Sequence, residues 1–317
     1  MRFKIARIID HGAAVKEFHL RREDGVPLPA WQPGAHVLLR FAAADGRQFE
    51  KHYSLVGDAA PADTYRIAVQ REAQGHGGSR CLHDEFGPGS AVELSGPFNS
   101  FPLHATPPSA ARVLLIAGGI GITPMVSMAH ALSAAGAPFA LHYLAHSRDR
   151  LVLLDELHAI ARAAVTPHVS QETGRADLAA LLGPYNAGDS CYACGPVALL
   201  QALAATAAQL GWPAGALHVE SFGARADGED APLQVELSLS QMTIDVPPGT
   251  TILDALIAAD VFVSYDCKRG ECGNCYTPVL EGQPLHRDVC LTPAMRATGM
   301  CTCVSWAAAP GRLVLEI

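Results

Sequence analysis

No run of eighteen uninterrupted apolar residues occurs in the chain; even the richest stretch, 113–132, is broken by Gly118, Gly119, Gly121 and Pro124, so a membrane-spanning helix is not expected. No cluster of Lys or Arg stands out, and 23 basic against 31 acidic residues leave a formal net charge of -8. A nucleic-acid or anionic-membrane ligand therefore has no electrostatic footprint here. The opening MRFKIARIIDHG interleaves Arg2, Lys4 and Arg7 with apolar residues as a strand does, and lacks the long apolar core of an export signal. A cytoplasmic location is expected. Nine cysteines, an odd number in a chain without such a signal, argue against a disulfide framework, so their clustering needs another chemistry.

What is present suffices for several cores, since 317 residues at 49% hydrophobic content point to two or three domains. From Phe3 to Val69, the runs FKIARII, VKEFHL, HVLLRF, YSLVG and YRIAV are separated by the turn-formers EDG, QPG, ADG and APAD. This predicts a small antiparallel β-barrel or sandwich reaching about Phe101, followed by the linker HATPPSAAR. Then the period changes: RVLLIAGG, FALHYLAHS and SCYACG read as strands, and TPMVSMAHALSAAG, LVLLDELHAIARAA and PVALLQALAATAAQLGW as helices. Strands alternating with helices mean βαβ units on a parallel sheet. After the linker GARADGEDAP, LQVELSLSQMTIDVPPG reads as a hairpin and TTILDALIAAD as a helix of a small α+β domain. The expected boundaries are 1–103, 110–222, a linker 223–232, and 233–317.

The third region carries YDCKRGECGNC, in which Cys267, Cys272 and Cys275 are spaced C-x4-C-x2-C, with further cysteines downstream. That spacing with a distant fourth cysteine is the plant-type [2Fe-2S] signature: one tight loop supplies three thiolates and a separate segment the last. Gly270 and Gly273 let the loop fold back and turn backbone N–H groups toward the sulfurs. Zinc more often takes two C-x2-C pairs, and the x4 gap breaks that form. Spacing leaves Cys301 and Cys303 both open as fourth ligand. Cys290 reads as a buried thiol, and Cys191 in CYACGP as structural rather than redox-active.

Three further stretches suggest ligands. Gly118, Gly119 and Gly121 follow a buried strand, and Thr123-Pro124 opens a helix, so backbone can approach a nucleotide and a helix N-terminus can face phosphate. The alternative is a tight strand-helix turn. KHYSL, from Lys51 to Leu55, places a cation, a ring and a hydroxyl on one strand, and GHGGS, from Gly75 to Ser79, is a glycine turn before a helix RCLHDEF. Each alone fits an ordinary core or turn as well.

Together, KHYSL, GHGGS, GGIGITP, CGP, HVESFG and YDCKRGECGNC with HRD and CVS downstream resemble the phthalate dioxygenase reductase family of the ferredoxin-NADP reductase superfamily, over essentially the whole chain. The resemblance implies a flavin barrel, an NAD-binding α/β domain and a β-grasp ferredoxin domain. It implies that Tyr53 and Ser54 lie on the isoalloxazine with Lys51 near the phosphate, that His52, Ala68 and Val69 join them, and that Gly77, Gly78 and Ser79 close over the FMN phosphate. Lysine at 51 replaces the family's usual arginine, exchanging a bidentate fork for a point charge. The chain lacks the extra segment with which FAD-binding relatives hold adenine, which favours FMN. Gly118, Gly119, Gly121, Ile122, Thr123, Pro124, Ser147, Arg148, Cys194, Gly195 and Pro196 would bind NADH. Thr123 and Cys194 would flank the nicotinamide, Phe222 would shield the flavin, and Arg148 keeps a 2′-phosphate contact in play. CVS aligns Cys303 as the fourth cluster ligand. The implied activity is NADH-dependent reduction of FMN and then of [2Fe-2S], feeding a Rieske-type non-haem-iron oxygenase through a transient contact near solvent-facing Lys268, Arg269 and Glu271, with the chain a monomer. An FAD reductase of another acceptor, or a carrier module without NAD activity, are the alternatives.

Overall fold

The computed structural model describes residues 1–60, 63–73, 77–104, 111–160, 163–222, 230–309 and 311–317. Gly75 and His76 of the glycine turn, most of the HATPPSAAR linker and 223–229 of the second linker lie outside the described residues. The chain divides into two compact units, Met1–Glu220 and Ser221–Ile317.

In the first unit, β1 (Arg2–His11), β2 (Val15–Arg22), β3 (His36–Ala42), β4 (Gln48–Ser54), β5 (Tyr65–Gln70) and, after α1 (Gly78–Glu85), β6 (Ala91–Phe98) form one antiparallel sheet in the order β4-β3-β6-β1-β2-β5. The outermost strands β4 and β5 approach one another, so the sheet curls toward a barrel. Period-two alternation drives it: Phe3, Ile5, Phe18, Leu20, Val37, Leu39 and Ile67 bury one face. β6 was not anticipated, although Val92 and Leu94 alternate correctly within it.

The parallel sheet is built from β7 (Val113–Gly118), a 3-10 turn (Gly119–Gly121), α2 (Ile122–Ala134), β8 (Phe139–Ala145), α3 (Leu154–Ala159), β9 (Ala163–Val169), short α4 (Ser170–Thr173) and α5 (Leu178–Leu182), β10 (Ser190–Gly195), α6 (Val197–Gln209) and β11 (Leu217–Ser221). Its order is β11-β10-β7-β8-β9, with β10, β7, β8 and β9 paired in parallel. Chain direction across the sheet therefore reverses between β7 and β10. The helix expected over 151–164 is corrected to the six residues of α3, followed by β9. Leu153 sits at a left-handed φ of 59°, which blocks an earlier helix start. Val165 and Thr166 favour a strand, and Pro167 is tolerated because β9 is an edge.

The two sheets share one core: Val15, Val56, Ala68 and Phe101 pack with Val113, Ile122, Met125 and Tyr143. That continuity is why they form a single unit. Gly34 marks the closest approach, since a Cβ there would lie 1.9 Å from the Phe101 carbonyl oxygen, and its N–H donates to Ser127 Oγ on α2 at 3.2 Å.

The second unit contains β12 (Leu233–Leu237), β13 (Met242–Val246), α7 (Ile252–Ala258), β14 (Tyr276–Glu281), β15 (Pro284–Leu285), α8 (Pro293–Arg296), β16 (Gly299–Cys301), β17 (Trp306–Ala307) and β18 (Gly311–Leu315). The main sheet runs β13-β12-β18-β14-β16. The expected hairpin and helix are present, and Thr251 Oγ1 caps α7 by accepting from the Asp254 N–H at 2.9 Å. Leu233, Val235, Val246, Ile252, Leu256 and Leu313 make the core beneath the helix.

Candidate cofactor sites

At the barrel, alternation along β4 turns Tyr53 inward and Lys51 alongside it, both half-buried, with His52 exposed and its ring tilted against His36 at 5.1 Å. Burial raises the Tyr53 phenol well above its ordinary range, so it stays protonated as a hydrogen-bond donor. Ser54 is buried and its Oγ has no hydrogen-bond partner among the described residues. A buried hydroxyl left unmatched costs free energy unless a ligand completes it. Ala68 and Val69, by contrast, lie within packed cores, and the Val69 carbonyl is held by His83 Nε2 at 2.8 Å.

Beside β4 sits the N-terminus of α1. Gly77 caps it at a left-handed φ of 88°. A Cβ at Gly78 would come 3.1 Å from Lys51 Cε, and one at Gly77 would come 3.5 Å from Arg47 Nη1 and 3.7 Å from Arg80 Nη2. Three cations thus lie around a helix N-terminus that has no side-chain cap, Arg47 among them also paired with Asp45 at 2.7 Å, an arrangement suited to an anion. Arg47 and Arg80 were not among the expected contacts, although Arg80 directly follows GGS in the sequence. Ser79 Oγ accepts the Glu72 N–H at 3.0 Å, closing the loop base.

At the carboxyl ends of β7 and β10 two glycine turns cross. A Cβ at Gly121 would lie 2.2 Å from the Cys194 carbonyl oxygen, and one at Gly118 would lie 2.9 Å from Pro196 Cδ; from the other side, a Cβ at Gly195 would be 3.0 Å from Gly118 Cα. Only glycine permits this crossing. Gly119 faces open space at a φ of 56°, leaving backbone available to a ligand at the point where strand order reverses. Strand β5 packs beside this turn, which sets the glycine crossing next to the barrel. Ile122, Thr123, Pro124 and Cys194 are buried there, and the Thr123 hydroxyl donates to the Ile120 carbonyl at 3.1 Å.

Ser147 and Arg148 follow β8, but Arg148 is already engaged by Glu172 through two hydrogen bonds of 2.6 and 2.7 Å. A 2′-phosphate would have to displace that carboxylate. Cys191 is fully buried and its thiol is pushed up to about 12 by burial, which fits a structural role. A cavity of about 420 Å³ lined by His104, Tyr192 and His218 sits at Ser190, the end of β10 away from Gly195.

In the second unit the thiols fall into contacts. Cys267 touches Cys272, and Cys275 touches both Cys301 and Cys303. Cys303 touches Cys275, also faces Cys267 and accepts from the Gly270 N–H, whereas Cys301 touches Cys275 and Cys290. Geometry therefore separates the two cysteines that spacing left open. Arg269 N–H points at Cys267 Sγ at 3.3 Å and Asn274 N–H at Cys272 Sγ at 3.5 Å, so the loop lines its sulfurs with donors. Hydrogen bonds from Cys301 and Cys303 hold the Cys275 thiol down at about 3. Gly270 has a φ of 71°, and a Cβ there would strike Val304 Cγ2 at 2.6 Å. Two thiol pairs suit a two-iron centre, in which each iron takes two thiolates.

Two expectations at this loop need correction. Lys268 is held by Asp254 at 2.9 Å and lies over the Tyr265 ring, and Arg269 and Glu271 pair at 3.2 Å with side chains only 11% and 9% exposed. They brace the loop rather than face solvent. Cys290, expected to be buried, is half-exposed, and Cys301 is the fully buried thiol. Phe222 is 41% exposed just after β11. Among the described residues, no helix is long and apolar enough to cross a membrane.

Residues 235–308 match the 2Fe-2S iron-sulfur cluster binding domain family. The chain is 36% identical over 323 residues to phthalate dioxygenase reductase of Burkholderia cepacia, covering 100% of this chain and 97% of that protein. It is 39% identical over 283 residues to phenoxybenzoate dioxygenase subunit beta of Ectopseudomonas oleovorans, covering 89% of this chain and 86% of that protein. A solved phthalate dioxygenase reductase, described as a modular structure for electron transfer from pyridine nucleotides to [2Fe-2S], superposes with a TM-score of 0.73 at 34% identity, over 100% of this chain and 98% of that one.

Proposed function

The chain belongs to the phthalate dioxygenase reductase family, and from that premise we propose that it is the reductase component of a two-component oxygenase, passing electrons from NADH by way of FMN and a [2Fe-2S] cluster to a Rieske-type non-haem-iron oxygenase that this monomer meets transiently. When bound, flavin and cluster together supply the conversion of a two-electron hydride into single electrons.

The chain's own residues contribute position and charge. Ser54 Oγ, unpartnered and buried, would pair with a polar edge of the flavin ring, and the Tyr53 ring would lie against it. Lys51, Arg47 and Arg80 around the start of α1 would neutralise the FMN phosphate, which offsets the missing guanidinium at 51. The crossing of Gly118 and Gly121 with Gly195 would admit the dinucleotide backbone, with Thr123 and Cys194 walling the nicotinamide and Phe222 as the shielding aromatic. Cys267 with Cys272, and Cys275 with Cys303, would each hold one iron.

The observation that supports this reading best is the gathering of Cys267, Cys272, Cys275 and Cys303 into contact, in a chain that also carries a glycine crossing at a sheet switch point. Anaerobic mixing with NADH should bleach both flavin and iron-sulfur absorbance. Unchanged spectra would leave only a carrier module. Acid release of the flavin followed by mass measurement should return FMN, and FAD would overturn that assignment.

A further inference from the structure

Two cysteines of the second unit are left unused by the two thiol pairs. Cys301 ends β16, fully buried beside Leu253, Leu291 and Val304, and Cys290 lies half-exposed after the buried Asp288. Their sulfurs are 3.8 Å apart. Each is held by a different element. β16 pairs with β14 so that Cys301 stands opposite Tyr276, while the segment bearing Cys290 is pinned through Asp288, which accepts from the Leu291 N–H at 3.1 Å and Arg296 Nη2 at 2.9 Å. The approach is therefore set by packing on both sides. Cys290 also leans on the cysteine loop, because a Cβ at Gly273 would sit 3.9 Å from its sulfur.

We propose that Cys290 and Cys301 form a reversible disulfide when the protein meets a peroxide, leaving the four paired thiols of the loop intact. Identifying those four as cluster ligands rests on the function proposed above; the proximity of Cys290 and Cys301 does not. Cys290 is the accessible member, so its thiolate attacks the peroxide O–O bond. One oxygen stays on sulfur as a sulfenic acid and the other leaves as water after protonation. The Cys301 thiol then attacks that sulfur, an S–S bond forms and a second water departs. Overall, two thiols and one hydrogen peroxide give one disulfide and two waters, and an external dithiol reverses the step with two electrons and two protons. Closure draws the sulfurs from 3.8 Å to about 2 Å. A direct attack on Cys301 is disfavoured because it is fully buried.

The test uses the full-length, cofactor-loaded protein treated with stoichiometric hydrogen peroxide, then trapped in acid with a thiol-alkylating reagent and mapped by mass spectrometry. The expected result is one cross-linked peptide joining Cys290 to Cys301, cluster absorbance retained, and full reversal by dithiothreitol. In Cys290→Ser the cross-link should vanish and Cys301 should remain alkylatable. Cys290 found as sulfinic acid with Cys301 alkylated, or Cys301 joined to Cys275, would overturn the proposal. The wild-type map decides even if the variant fails to fold. Loss of the cluster absorbance on peroxide treatment would also overturn it, whereas absence of a cluster before peroxide is added would count against the function reading instead.

Discussion

Arg66 on β5 donates two hydrogen bonds to Glu156 on α3, at 3.0 and 2.7 Å, while its Nε holds Glu17 of β2 at 2.8 Å. One guanidinium thus ties the antiparallel sheet to the parallel one. His11 adds a 2.9 Å contact to Glu17, and His130 a 3.3 Å contact to Glu156.

Removing Arg66 should destabilise the first unit. Glu17 is 1% exposed, so Arg66→Ala leaves a buried carboxylate to His11 and His19 alone, at a cost of about 2–3 kcal/mol. Urea unfolding at neutral pH checks this, and a variant within about 1 kcal/mol of wild type would mean the network is energetically idle.

The same network sets an acid limit. Burial raises the Glu17 and Glu156 carboxyls, but hydrogen bonds from His11 and His130 and from Arg66 win and hold both at about 2, against an ordinary 4.5. Folded-state values are depressed, so the stabilisation is fully present above pH 4.5 and is lost as pH falls toward 2. Stability measured from pH 6 to 3 should fall more steeply in wild type than in a Glu17→Gln, Glu156→Gln double variant.

Gly121→Ala should block the nucleotide crossing, because the new methyl would sit 2.2 Å from the Cys194 carbonyl oxygen. The expected outcome is a KM for NADH raised at least tenfold, roughly 1.4 kcal/mol, with flavin still bound. An unchanged KM would show that the crossing can open freely.

Cys303→Ser should abolish the iron-sulfur absorbance, while Cys301→Ser should keep it, since only Cys303 faces both Cys267 and the Gly270 N–H. Ultraviolet-visible spectra of the two purified variants decide it. Retention in the first and loss in the second would reverse the assignment.

Lys51→Met should weaken FMN binding by about tenfold or more, the scale of one charge-assisted hydrogen bond, and Lys51→Arg should not weaken it. Fluorescence titration of flavin into apoprotein measures both. Equal affinity in all three proteins would place the phosphate charge on Arg47 and Arg80 alone.

The two sheets of the first unit were legible because their periods differ: alternation in FKIARII and VKEFHL, solid apolar content in RVLLIAGG. The cysteine loop was legible because three of its thiols fall within nine residues, Cys267 to Cys275. What escaped was non-local. LVLLDELHAIARAA carries a helical pattern, yet the left-handed Leu153 and the edge position of β9 cut it to six residues. Arg47 is far in sequence from the helix start it flanks, and Arg269 with Glu271 look solvent-facing until their mutual pairing is seen. The distinction between Cys301 and Cys303 lies in which way each side chain turns, which spacing does not encode.

In the second unit, β12 pairs in parallel with β18, Leu233 opposite Gly311 and Leu237 opposite Leu315. The strand that opens this sheet therefore waits for one made some seventy residues later, which at ribosomal speeds of about 5–20 residues per second is several seconds of exposure. Cluster loading therefore waits on the strand that closes this sheet: a chain stopped before Gly311 should accept no cluster from a donor scaffold, while one that includes Leu315 should.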